Sequence, residues 1–234
     1  MTSLPGNGLT QQQGVLLATE LQSATNLLRD GRNTLRAMTY ASRGTDSVYA
    51  LLSLGAEKLL KVSIGLAGLE ATGEWPAKQL RAFSHGVIEL DDEVRSLMKL
   101  NASRAEHRGY TDPALAALES DAVWPLLREG LKNYGSGGRY HYLDWISKEP
   151  AFDSPRGYWQ SIESEVFTQQ PDLFALFSSS KPGDSEAARQ RTNDAIVASL
   201  NSWWGTIHTF WVQGAFGADA RMMSSEIDPV GPFA

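Results

Sequence analysis

The chain has 234 residues, 42% hydrophobic and 21% charged, which is long enough for one sizeable core and ordinary for a globular protein. It contains no cysteine, which excludes disulfides, thiolate metal sites and a cysteine nucleophile. A formal net charge of −6 argues against a broad, non-specific grip on nucleic acid but leaves room for a local basic patch or a basic partner.

In chain order, residues 1–8 read as disordered, with neither the basic nor the apolar region of a signal peptide, so the expected location is cytoplasmic. A first helix is predicted over Leu9 to Met38, with Leu17, Leu21, Ala24, Leu28, Leu35 and Met38 on one stripe. After a polar turn at Ser42 to Asp46, a second helix runs from about Ser47 to Thr72. It is apolar nearly all round and therefore central. Thr72-Gly-Glu-Trp-Pro76 stops it, and a third helix follows to about Asn101 with the stripe Leu80, Phe83, Val87, Leu90, Val94 and Leu97. Acidic caps beside proline mark further starts at Asp112-Pro113, Asp121 and Asp153-Ser-Pro155. These place Leu118, Trp124, Leu127, Leu131, Trp159, Ile162 and Val166 inward. Pro171 breaks the chain before a short turn, and Ser178 to Asp184 reads as a loop. The last long helix places Ile196, Leu200, Trp203 and Ile207 at helical spacing, and the tail from Ser224 to Ala234 reads as irregular. Ala195 to Ala218 carries no charged residue, yet Asn201, His208 and Gln213 fit a buried helix better than a membrane span. With no strand alternation, the expected fold is all-α, one antiparallel bundle of six to eight helices over residues 9–223.

Arg81 and His85 lie one turn apart on the predicted third helix, off its apolar stripe. Such a pair suits chemistry at phosphorus, with His moving a proton near neutral pH and Arg steadying negative charge. A merely solvated face bearing Arg81, His85, Asp92 and Arg95 is the alternative. In Tyr134 to Trp145, glycines adjoin Arg139, Tyr140 and His141, and exposed aromatics among cations can stack unpaired bases. A loop whose rings plug the core edge is the other reading. Lys58 and Lys61 form a polar strip on the most apolar helix, reaching solvent or an RNA or protein partner. His208 reads as a core histidine, and Asp91-Asp-Glu93 as a solvated acidic run. The four histidines show no metal-ligand spacing, so neither metal nor cofactor is expected.

Tyr49-Ala-Leu-Leu-Ser-Leu-Gly-Ala-Glu-Lys-Leu-Leu-Lys61, continuing through Thr72 to Pro76 and Phe83-Ser-His-Gly-Val-Ile-Glu-Leu90, resembles the HEPN superfamily of small helical proteins. Gly138-Arg-Tyr-His-Tyr-Leu-Asp144 and Phe216-Gly-Ala-Asp-Ala-Arg221 are similar to segments of its larger bacterial members. The resemblance implies a HEPN-like core over about residues 9–134, a homodimer, and a context of antiviral defence or toxin–antitoxin pairs. It further implies metal-independent RNA cleavage by an Arg and a His, here Arg81 as phosphate clamp and His85 as acid/base. The family usually separates the two by more than the three residues found between Arg81 and His85. The alternative it implies is a non-catalytic helical protein that binds RNA, an antitoxin, or a phage or host protein.

Overall fold

The computed structural model describes residues 9–147 and 152–230, and among these it is all-α with no strand. Seven helices have 13 or more residues: α1 (Gln11–Arg36), α2 (Ala41–Thr72), α4 (Val87–Leu100), α5 (Arg108–Ser120), α6 (Val123–Ser136), α8 (Pro155–Gln169) and α10 (Asp184–Val212). Four short ones lie between or after them: α3 (Ala77–Ala82), α7 (His141–Ile146), α9 (Pro171–Phe177) and α11 (Ala218–Met222). Local chemistry sets several ends. Thr10 opens α1 with a reciprocal capping box to Gln13, and Ser154 caps α8 with Pro155 in its first turn. Gly73 closes α2 in the left-handed conformation at φ 74°, which costs a residue without Cβ nothing. No helix among the described residues is long and apolar enough to cross a membrane.

The longest packing seam joins α1 to α2, and α2 also packs on α4, α6 and α8. Glycines set the closeness of the first seam: a Cβ on Gly31 would sit 2.5 Å from Leu52, and one on Gly55 would sit 2.9 Å from Leu28. Every apolar residue expected on the α1 stripe is buried, as are Leu118, Trp124, Leu127, Leu131, Trp159, Ile162 and Val166. On α10, Trp203, Trp204, Ile207, Phe210 and Trp211 are wholly enclosed, so its charge-free half faces protein. Tyr49 is also enclosed, between the rings of Tyr134 and Trp159 and against Gly130. Burial, with the Glu163 charge adding to it, pushes the Tyr49 phenol far above its ordinary range. A Cβ on Gly130 would lie 2.7 Å from the Tyr49 hydroxyl. Gly130→Ala is therefore expected to cost about 1–3 kcal/mol by overpacking, measured as a lowered urea midpoint.

Four expectations are corrected. The turn expected at Ser42 to Asp46 is the first turn and a half of α2, which begins at Ala41. Helix α5 begins at Arg108, so Pro113 lies inside it rather than at its start. The carbonyl that proline leaves without a donor belongs to Gly109, which is exposed and reaches water. The tail contains a 3-10 turn at Ser224–Ile227 instead of being irregular throughout. Ile227 is wholly buried there, Thr25 donates to the Glu226 carbonyl at 2.7 Å, and Arg29 and Arg32 donate to the Asp228 and Pro229 carbonyls. The fourth correction, a break in the expected third helix, shapes the site described below. Residues 1–8 and 231–234 of the expected disordered and irregular termini lie outside the described residues.

His208 is partly buried, and desolvation lowers its pKa despite the opposing Asp228 charge. The unfolded chain then takes up a proton more readily than the folded one. Its contribution is full above the ordinary value of 6.5 and is lost as pH falls through that value towards the lower folded one. Urea midpoints at pH 8 and pH 5.5 are expected to fall further on acidification in the wild type than in His208→Gln.

Candidate functional site

The expected helix from Pro76 to Asn101 is two helices, α3 and α4, with a turn at residues 83–86 between them. The apolar stripe survives the break, since Leu80, Val87, Leu90 and Val94 are all buried and Phe83 is partly so. Ser84 turns the chain at φ 48°, a left-handed conformation that is unusual for a residue with a Cβ. Lys61 holds this turn by donating to the Ser84 carbonyl at 2.6 Å. On the far side, α4 restarts at Val87 with Glu89 in its first turn. A hydrogen bond from its own backbone N–H, followed by Lys132, lowers the Glu89 pKa despite partial desolvation.

Arg81 and His85 therefore do not share one helix, and the one-turn geometry expected for them is absent. Arg81 is exposed at the end of α3, and its Nε donates to the Ala77 carbonyl at 3.1 Å. His85 sits in the turn, and its Nδ1 lies 3.0 Å from Oε2 of Glu57 on α2. The other Glu57 oxygen accepts from Lys61 at 2.7 Å. Glu57 is only 14% exposed while His85 is 56% exposed, so a sheltered carboxylate orients an accessible imidazole. With Nδ1–H donated to Glu57, Nε2 is the basic nitrogen, and no partner for it occurs among the described residues. His85 lines an open cleft of about 560 Å³ together with Phe83, Ser84, Glu89, Lys132 and Ser136. Lys132 pairs with Glu89 at 3.0 Å on the cleft wall. The cleft thus holds a carboxylate-oriented base and an ammonium group, the elements of proton transfer beside a developing anion.

The remaining sequence candidates lie elsewhere. Lys58 points to α1 and pairs with Glu20 at 2.8 Å, so Lys58 and Lys61 serve two different seams rather than one strip. Arg139 donates to the Gly135 carbonyl and lies over the Tyr140 ring at 5.0 Å. The segment expected to be a loop is a 3-10 turn followed by α7. His141 is buried with both ring nitrogens engaged, Nδ1 with the Phe152 carbonyl at 2.7 Å and Nε2 with the Trp145 indole at 3.1 Å. That ring fixes α7 and is not open to a ligand. Around it Tyr140, Tyr142, Leu143, Trp145 and Ile146 are exposed, an apolar face rather than a plug of the core edge.

Two features escaped sequence reasoning. Glu57 carries the base, and only a contact across 28 positions brings it to His85. Tyr40 lies under two guanidiniums, Arg43 at 5.9 Å and Arg189 at 5.6 Å, which come from separate helices. Among the described residues no group of three or more His, Asp or Glu side chains is placed to hold a metal ion. No family model, curated protein or solved structure matches the chain.

Proposed function

We propose that this chain is a HEPN-like endoribonuclease that cleaves single-stranded RNA without a metal, with His85 as its base and Glu57 as the group that orients it. The observation that carries this reading is the 3.0 Å contact between His85 Nδ1 and a sheltered Glu57 carboxylate at the edge of an open cleft. In the reaction His85 Nε2 takes the proton of a ribose 2′-hydroxyl. The 2′-oxygen bonds to phosphorus, the P–O5′ bond breaks, and the departing 5′-oxygen takes up the proton that His85 Nε2 has gained. Lys132 stands on the cleft wall to meet negative charge on the phosphoryl oxygens. Arg81, exposed and without a carboxylate partner among the described residues, is the phosphate clamp for an RNA strand running past the end of α3.

The reading carries with it a HEPN-like antiparallel bundle, a homodimer, a cytoplasmic location and a role in defence or a toxin–antitoxin pair. It is tested by incubating the full chain with unstructured RNA in the presence of chelator. Cleavage is expected, and cleavage unchanged in both Arg81→Ala and His85→Ala would overturn it. A second reading, a non-catalytic module binding an antitoxin, phage or host protein, is favoured by one observation. Leu143 and Ile146 on α7 are 62% and 80% exposed, an apolar presentation of the kind that marks interaction surfaces.

A further inference from the structure

Arg29, Arg32, Arg95, Arg128, Arg191 and Arg221 each give N–H groups to a carbonyl or a carboxylate. Arg43 and Arg189 do not. Neither guanidinium has an ion pair or a hydrogen bond among the described residues, and the carboxylates nearest to them in sequence, Asp46 and Glu186, pair with neither. What both meet is the Tyr40 ring, over which Arg43 lies at 5.9 Å and Arg189 at 5.6 Å. A guanidinium laid on a ring engages its π face and keeps its in-plane N–H donors. Two cations from separate helices are thus gathered on one ring, no farther apart than those two distances together, with their donors open to a ligand.

The corner that carries them is fixed from inside. Asn193, 2% exposed and one turn beyond Arg189 on α10, donates to the Met38 carbonyl at 2.8 Å, which ties the α1–α2 connection to α10. Tyr40 is 59% exposed all the same, and with Ser42 and Arg43 it lines an open cavity of about 210 Å³. The cluster stands out against a chain of net charge −6, so it is not the by-product of a basic protein. A lone carboxylate would be filled by one guanidinium fork, whereas a strand that alternates phosphates and bases can use both forks and the ring between them.

We propose that Arg43, Arg189 and Tyr40 form a second contact for single-stranded RNA, with the guanidiniums on neighbouring phosphates and the tyrosine edge against a base. The choice of RNA rests on the ribonuclease reading, but the site itself is separate from the cleft. Glu57 lies about 25 Å along α2 from this corner, a distance that about a dozen nucleotides span even when stacked.

The test is fluorescence anisotropy of a labelled unstructured RNA of about twelve nucleotides, titrated with the full chain carrying His85→Ala, so that binding is read without cleavage. Saturable binding is expected. Adding Arg43→Gln and Arg189→Gln together should weaken it about tenfold at low salt and make the slope of log K against log[salt] shallower by about 1.4, the loss of two single-strand phosphate contacts. The urea midpoint should stay nearly unchanged, because neither guanidinium holds another group. Arg104→Gln removes a charge near the opposite end of α10, where Glu106 N–H donates to the Gln213 carbonyl, and should leave both affinity and slope as they were. Absence of saturable RNA binding would overturn the proposal, as would a double variant with the parent's slope or an equal loss in Arg104→Gln. RNA binding lost in the double variant, with no cleavage by wild type, would uphold this site and overturn the ribonuclease reading. Cleavage by wild type with binding unaffected in the double variant would do the reverse.

Discussion

Asp91→Ala is expected to lower the unfolding free energy by about 3–5 kcal/mol, among the largest effects of any single substitution in this chain. Asp91 is 1% exposed, yet its carboxylate receives four donors. Oδ1 accepts the Trp203 indole at 2.7 Å, and Oδ2 accepts the Trp124 indole at 3.1 Å, Arg95 Nε at 2.9 Å and Arg128 Nη1 at 2.8 Å. The two indoles stack at 4.3 Å with their planes 15° apart, so one carboxylate ties α4 to α6 and α10 through a tryptophan pair. Alanine would leave two core N–H groups unsatisfied and Arg95 without its ion pair, whereas Arg128 keeps Asp92 at 2.6 Å. Asn would keep the shape but could accept through one oxygen only, so an intermediate loss of about 1–3 kcal/mol is expected. Urea unfolding measures both, and near-ultraviolet circular dichroism should report the loosened tryptophan pair. A loss below about 1 kcal/mol for the alanine variant would show that the network is not a keystone.

The second large effect is on activity. His85→Ala should reduce RNA cleavage by about 10²- to 10⁴-fold, the range over which a positioned acid or base contributes. Glu57→Gln keeps the shape but removes the carboxylate that orients the ring, so a smaller loss of about tenfold is expected. Because His85 is 56% exposed, its removal should leave the urea midpoint nearly unchanged, which separates a catalytic loss from a folding loss. Glu57 also anchors Lys61, and through it the strained Ser84 turn, so Glu57→Gln is judged on activity per folded molecule.

How far the sequence was legible depends on whether a feature is periodic or brought together by folding. The stripes of α1, α6, α8 and α10 came through because one face of each is apolar at helical spacing, and packing then buries that face. The break at Ser84 did not, because the three–four spacing of Leu80, Phe83 and Val87 runs straight through it. The signal lay in Gly86, followed three residues later by Glu89, a helix-restart pattern that the stripe masked. Asp91 was misread as part of a solvated acidic run, since Asp91 and Asp92 differ only in which side of α4 they occupy. Asp91 falls towards Trp124 and Trp203, and Asp92 towards solvent. The candidate site was half legible. His85 stood out by type, whereas Glu57 did not, because no local rule links residues 28 positions apart. His141 was misassigned for a related reason, as Phe152 and Trp145 satisfy it only once the chain has folded around it.

The most direct measurement is cleavage of a short unstructured RNA by the purified full chain with chelator present, wild type beside His85→Ala, with the product ends identified. The expected products are fragments ending in a 2′,3′-cyclic phosphate and a 5′-hydroxyl, with both lost in the variant. Intact RNA after incubation with a folded wild-type protein, or identical cleavage by His85→Ala, would contradict the ribonuclease reading.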